Sequence, residues 1–285
     1  MNIEANLQLA ADRLSNREFD DLTVLDGWLD DAGEAFKGVL RKQLTEHTAQ
    51  ETIWRMSSIG KPVCQLQMKA VGAKAKRKPY NFITQMMLGD AVEIITELLL
   101  KVAAVNVTGG KDKVSLQVAD ALIKGTDDVE IDDAVYDIKS CSPYAFKYKW
   151  SKGYAGLVED DPFGYIGQLV GYAQAKGKPP GGWIVVCKGT GQVKVIEFEG
   201  GEKEISARMK QLEQTVTTIM SNAKFRRSFD PIEDKWRGKL TGLKTLCKTC
   251  EFCDYLGECW PKAEYLAHPN SEAKNPPYFW FVKDD

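Results

Sequence analysis

Histidine is almost missing from this 285-residue chain: His47 and His268 are its only two. Any metal site formed by its clustered cysteines must therefore be largely thiolate. No apolar run is long enough to span a bilayer, so no membrane contact is expected. No signal-peptide pattern is present, and the cysteine count, 7, is odd. Both argue against a disulfide framework and for a reducing, cytoplasmic setting. A net charge of only −2 excludes a globally basic DNA binder. There is no internal repeat, no low-complexity tract and no phosphate-cradling glycine loop. With 44% hydrophobic and 27% charged residues, the composition is that of a soluble globular protein. The length suits one large domain with embellishments.

What is there begins with Gly125-Thr126-Asp127-Asp128, followed by Tyr136-Asp137-Ile138-Lys139. Val135, Tyr136 and Ile138 read as a buried strand. Side chains alternate along a strand, so Asp137 and Lys139 share one face and Tyr136 and Ile138 the other. Asp132-Asp133 reads as a turn, and a hairpin there brings Asp128 beside Asp137. Asp127 is a close rival to Asp128, and Glu130 shares its parity. Adjacent carboxylates repel, and a hard divalent cation removes that penalty. Mg²⁺ or Mn²⁺ in such a site suits phosphodiester hydrolysis, with Lys139 orienting the attacking water or stabilising developing charge.

Two helices extend the pattern. Gly89 and Glu93 lie four apart in a helical stretch from Phe82 to about Val102. The glycine is expected to let the helix approach the sheet, so that Glu93 reaches the metal directly or through water. Downstream, Asp161-Pro162 reads as a helix start running to about Lys176. It puts Gln168 and Tyr172 on one face, where they could hold a phosphate or base edge. Gly164, Gly167 and Gly171 form a small-residue stripe for close packing.

Four cysteines crowd one segment, Cys247, Cys250, Cys253 and Cys259, while Cys64 stands far upstream. In a reducing compartment such clustering favours zinc or an iron–sulfur cluster. Cys141 and Cys187 read as packing residues.

Basic residues are local. One run holds Lys69, Lys74, Lys76, Arg77 and Lys78; another interleaves Lys147, Tyr148, Lys149, Trp150 and Lys152. Lysines can track phosphates while aromatics stack on bases. Coarsely, residues 1–50 are helical and acidic; 51–222 hold the motifs, with an arm carrying Cys64; 223–262 carry the cysteines; 263–285 form an aromatic, then acidic tail. That tail docks on its own domain or on a protein partner. Strand–helix order predicts an α/β fold with a mixed central sheet flanked by helices.

Taken in order, the motifs resemble the RecB-like exonucleases of the PD-(D/E)xK superfamily, in the iron–sulfur branch that includes CRISPR-associated and phage exonucleases. The resembling positions are Cys64, Gly89 to Glu93, Gly125 to Asp128, Asp137-Ile138-Lys139, Gln168 to Tyr172, then Cys250, Cys253 and Cys259. They span roughly residues 55 to 262. The resemblance implies a restriction-endonuclease-like core and an iron–sulfur-bound C-terminal segment. It implies that Glu93, Asp128 and Asp137 hold Mg²⁺ or Mn²⁺, that Lys139 assists the attacking water, and that Gln168 and Tyr172 complete the catalytic set. It further implies that Cys64, Cys250, Cys253 and Cys259 hold a [4Fe–4S] cluster. Two departures stand out: Cys247 is an extra thiolate and rival ligand, and Glu93 stands where many members have histidine. The expected activity is that of a metal-dependent DNA exonuclease working on single-stranded ends, of phage or defence-system type. The alternatives are a non-catalytic nucleic-acid-binding protein with a zinc-type cysteine site, and an endonuclease of the same superfamily.

Overall fold

The computed structural model describes residues 2–18, 21–45 and 53–282. In chain order the helices are α1 (Ile3–Ser15), α2 (Leu22–Thr45), α3 (Val63–Ala70), α4 (Phe82–Val102), α5 (Pro143–Tyr148), α6 (Tyr154–Glu159), α7 (Tyr165–Lys176), α8 (Gly201–Met220), α9 (Lys248–Glu251) and α10 (Leu256–Cys259). The strands are β1 (Val107–Gly109), β2 (Lys113–Val118), β3 (Ala121–Thr126), β4 (Val129–Ile131), β5 (Ala134–Cys141), β6 (Pro180–Cys187), β7 (Val193–Glu197), β8 (Ile232–Trp236), β9 (Lys239–Thr245), β10 (Glu264–Ala267) and β11 (Tyr278–Val282). None of the helices is long and apolar enough to cross a membrane.

The protein is mixed α/β. A five-stranded sheet runs in the order β1-β4-β5-β6-β7. β5 and β6 pair in parallel and the other neighbours pair antiparallel, so the sheet is mixed. Parallel pairing needs a crossover, and the chain between β5 and β6 supplies it through α5, α6 and α7. β4 and β5 form a hairpin whose turn residues, Asp132 and Asp133, both take positive φ (48° and 61°). Aspartate tolerates that region because its short side chain can bond locally.

Helices cover both faces of the sheet. Tyr136 and Ile138 of β5 pack with Leu100, Val129 and Ile184 on the side of α1 and α4. Val135 and Cys141 pack with Leu169, Trp183 and Val185 on the side of α7. The period-2 alternation expected of this strand is therefore the alternation observed, and it turns Asp137 and Lys139 toward the α7 layer. Cys141 pairs across the ladder with Cys187, and both are buried in packing.

Several boundaries differ from the sequence expectation. Helix α1 does not stand apart: Ile3, Leu7 and Ala10 are buried, and the Glu4 carboxylate accepts the Val195 N–H at 2.8 Å. The arm carrying Cys64 contains a helix, α3, which packs on α8. The helix expected from Asp161 begins at Tyr165. Gly164 takes a left-handed φ of 74° and abuts the Gly60 backbone, so the chain turns there before the helix starts. Asp161 still serves that start, accepting from the Tyr165 and Ile166 N–H groups at 2.9 and 3.0 Å.

The largest difference is at the C-terminus. A second, four-stranded sheet runs in the order β10-β11-β9-β8. The tail strand β11 is hydrogen-bonded on both sides, so the aromatic tail docks on its own domain. Asp284 and Asp285 lie outside the described residues. Trp280 and Val282 of β11 pack with Leu246, Leu256 and Trp260 around the cysteine segment. On the β8 side, His268 is buried with Nε2 2.9 Å from Asp234 Oδ2, and its ring stacks on Trp236. His268 Nδ1 accepts the Asn270 N–H, which leaves Nε2 as the donor to Asp234. This histidine is a satisfied core residue. The other one, His47, lies outside the described residues.

Candidate active site

Strand β5 presents Asp137 and Lys139 side by side: Lys139 Nζ donates to Asp137 Oδ1 at 2.6 Å. The ammonium lies equally near Asp137 Oδ2, which is out of solvent. Burial pushes the Asp137 carboxyl above its ordinary range, and the neighbouring Asp128 pushes it further. Burial would also depress Lys139, but Asp137 and Asp128 outweigh it and hold the ammonium charged.

Asp128 is placed by the β4–β5 hairpin. Val129 pairs with Tyr136, so the next position back faces Asp137. Its Oδ2 accepts the Ile138 N–H at 2.8 Å, anchoring the acid on the strand that carries Asp137. Asp127, the rival, is turned elsewhere. It is fully buried, with Oδ1 accepting the Asp112 N–H at 2.7 Å and Oδ2 3.2 Å from Lys176. Glu130 is likewise bound by Lys176 and Lys178. Asp112, Asp127 and Glu130 are the set of acids, among the described residues, whose oxygens gather within 4.8 Å. The Lys176 ammonium reaches all three of them and Lys178 pairs with Glu130, so two lysines already answer most of the charge of these acids.

Glu93 comes from α4 and pairs with Lys111, a residue of positive φ (60°) in the loop after β1. Among the described residues, the oxygens of Glu93, Asp128 and Asp137 do not gather within 4.8 Å of one another as the expected ligand set would. The same ammonium lies 2.9 Å from Glu97, one helical turn beyond Glu93. Neither Glu97 nor Lys111 was expected from the sequence. The signal that could have found Glu97 is its position four residues after Glu93. Burial, then Asp128, raises the Glu97 carboxyl to about 7. Burial lowers Lys111 despite the pull of Asp128, Asp127, Asp90 and Asp137 around it. Gly89 does not enforce close approach as expected: an added methyl group there would sit 3.7 Å from Ser140 Oγ, an ordinary contact.

Helix α7 closes the site. Gln168 and Tyr172 are both buried on α7. Burial, with Asp128 and Asp137 nearby, raises the Tyr172 phenol to about 12. Gly125 makes room for that ring, since a methyl group there would fall 2.6 Å from Met56 and 2.9 Å from Tyr172. The stripe Gly164, Gly167 and Gly171 faces Gly60, Met56 and Ile59, bringing the arm before Cys64 against α7.

The basic runs divide. Lys147 and Tyr148 are exposed on α5, and Lys76 and Arg77 are exposed in the loop after α3. Trp150, expected to stack on bases, is instead buried against Tyr165, with ring centroids 5.6 Å apart. Lys152 pairs with Glu159 at 2.6 Å, and Lys78 with Asp254 at 2.7 Å, so both are already answered. Lys149 is half-buried over the Tyr165 ring.

Cys64, Cys250, Cys253 and Cys259 line one small cavity with Phe229, Leu256 and Trp260. Cys247 does not line it, although its sulfur lies 3.7 Å from that of Cys250. Among the described residues, no three cysteine sulfurs lie within 4.8 Å of one another. Burial raises the Cys253 thiol to about 11 and raises Cys250 also, with Cys64 and Cys259 contributing to both. Arg227 braces the segment, donating to the Cys259 carbonyl at 2.7 Å with its guanidinium 3.8 Å over the Trp260 ring.

No family model matches this sequence, and no curated protein matches it. A solved structure described as the crystal structure of SSO0001 is 15% identical, with a TM-score of 0.42 over 78% of this chain and 92% of that one. That likeness is too slight to inform fold or function.

Proposed function

We propose that this chain is a divalent-metal-dependent deoxyribonuclease with a restriction-endonuclease-like core of the PD-(D/E)xK type. The observation that carries the reading is the junction of Asp128, Asp137 and Lys139. Two neighbouring carboxylates meet at one strand, Asp137 is buried, and a charged lysine stands beside it. Such a donor set suits Mg²⁺ or Mn²⁺, which take oxygen ligands and tolerate several waters. The Lys111 ammonium among Glu93, Glu97 and Asp128 supports it, because a cation is already drawn to these acids.

Asp128 and Asp137 would hold the ion, with Glu93 joining once Lys111 releases it. When bound, the ion would neutralise charge on the scissile phosphate and lower the pKa of a coordinated water. Lys139 holds its proton throughout and orients the incoming hydroxyl toward phosphorus. Tyr172 stays protonated and, with Gln168, offers hydrogen bonds to a phosphate oxygen or base edge. The buried α7 layer excludes bulk water from this side.

The thiols of Cys64, Cys250, Cys253 and Cys259 support a [4Fe–4S] cluster. They surround one cavity, and their sulfurs stand wider apart than a single tetrahedral ion requires. The group would clasp α3 to the C-terminal segment. The Cys247–Cys250 approach favours a second reading, a local thiolate site that takes zinc. Exonucleolytic action on single-stranded ends follows from the family resemblance.

The test is cleavage of end-labelled single-stranded DNA with Mn²⁺ by wild type and by Asp137→Asn and Lys139→Ala. Each variant should lose ~10²-fold or more in rate while remaining folded. A folded Asp137→Asn that digests DNA at the wild-type rate overturns the proposal.

A further inference from the structure

Behind Lys139 sits a second lysine that the reaction above does not use. Lys149 follows α5, and its Nζ lies 5.6 Å from the centroid of the Tyr165 ring. Lys139 Nζ lies 5.3 Å from that same centroid, so one tyrosine carries two ammonium groups. Trp150, buried and stacked on Tyr165, gives Lys149 a second aromatic wall at 5.9 Å.

The charge on Lys149 is unanswered. Its Nζ is out of solvent with no hydrogen-bond partner, and among the described residues it forms no ion pair. Asp160 and Asp161 act on it only at a distance, and both Asp161 oxygens are engaged by the start of α7. Burial holds the ammonium below its usual pKa. Aromatic faces repay part of the lost hydration of a cation, but not all of it. The free protein thus carries a lysine that destabilises it, on the same ring as the lysine proposed to handle phosphate. The residue as a whole is half-buried, so part of its stem reaches the surface although the ammonium is enclosed.

We infer that Lys149 forms a second phosphate subsite: its ammonium, stored over the Tyr165 ring that Lys139 also meets, swings out to take the phosphate next to the scissile one on the same DNA strand. The inference rests on the nuclease reading of the Lys139 site and names its strand path. From Lys149 that path meets Tyr144 and Tyr148, exposed on α5 with rings 4.8 Å apart, where bases can stack.

A purely structural lysine and a phosphate-binding one predict opposite results. Binding of a labelled oligothymidylate is measured in EDTA across a salt series, for wild type, Lys149→Met, Lys149→Gln and Lys149→Arg. Without metal no strand is cut, so the measurement stands whether or not the protein is a nuclease. Loss of one single-strand phosphate contact should reduce the slope of log K against log salt by about 0.7. Lys149→Met and Lys149→Gln should show that reduction, and Lys149→Arg should restore the wild-type slope. Lys149→Met should at the same time raise the thermal midpoint of the free protein. Equal slopes in wild type and both neutral variants overturn the subsite, as does a wild type that binds no oligothymidylate. A changed slope in a protein that cuts no DNA with Mn²⁺ would keep the subsite and sink the nuclease reading instead.

Discussion

The Asp128 carboxylate accepts the backbone N–H of Ile138 at 2.8 Å, which locks it beside Asp137, the residue before that amide. Two acids that would repel in solution are thus held together by the strand that carries one of them. The hairpin turn at Asp132 and Asp133 provides the reach, and the hydrogen bond provides the aim.

The substitution Asp128→Asn keeps an acceptor for Ile138 and removes the charge. Asp137 then loses the neighbour that helps raise its pKa. The metal-free variant should be as stable as wild type at neutral pH, or more so, because a like-charge pair has been relieved. The thermal stabilisation that Mn²⁺ gives wild type should be lost. An Asp128→Asn variant that Mn²⁺ still stabilises to the wild-type extent would remove Asp128 from the ligand set.

The raised carboxyls set a pH dependence. Glu97 has its folded pKa raised to about 7 from an ordinary 4.5. Its contribution to stability is fully present below the unfolded value and is lost as pH rises toward the folded one. Metal-free protein should therefore lose stability across the interval from about 4.5 to about 7, and Glu97→Gln should flatten that loss. Mn²⁺ should reverse the trend, since a cation favours the ionised acids and expels their protons. Thermal melts across this interval, with and without Mn²⁺, check both signs.

Under the proposed metal site, Lys111 would compete with the ion for Glu93 and Glu97. Lys111→Met frees Glu93 and Glu97 from their ion pairs. Metal-free Lys111→Met should melt lower than wild type, because the acids lose their counter-charge. Its midpoint should rise further on adding Mn²⁺ than that of wild type. A smaller rise would mean that Lys111 helps to build the ion's site rather than to occupy it.

The cysteines give a fourth outcome. Cys64 shares the cavity with Cys250, Cys253 and Cys259, and Cys247 does not line it. Under anaerobic purification, Cys64→Ser should lose iron and several kcal/mol of stability together, because ligation and folding are coupled. Cys247→Ser should keep its iron. Brown colour with broad absorbance in the wild type should accompany this; a colourless protein with stoichiometric zinc would support the local thiolate site. Full iron occupancy in Cys64→Ser would rule out the clasp.

How much of this could be read from the chain follows from the range of each interaction. Strand period alone puts Asp137 and Lys139 on one face of β5, and the Asp132-Asp133 turn brings Asp128 alongside, because both are local rules of backbone geometry. Helix period alone places Gln168 with Tyr172 on α7. Other assignments depended on partners far away in sequence. Asp127 and Asp128 are adjacent in the chain, and only Lys176 and the Asp112 amide show that Asp127 faces the other way. Lys111 meets Glu93 and Glu97 across a loop that no periodicity describes. Trp150 looks like a base-stacking residue between lysines, and becomes core only because Tyr165 arrives to cover it. β11 looks like a loose aromatic tail until β9 and β10 supply its hydrogen-bond partners. The sequence determined which residues share a face. The tertiary structure decided which of those faces meet, because burial and charge pairing are properties of neighbours that chain order does not reveal.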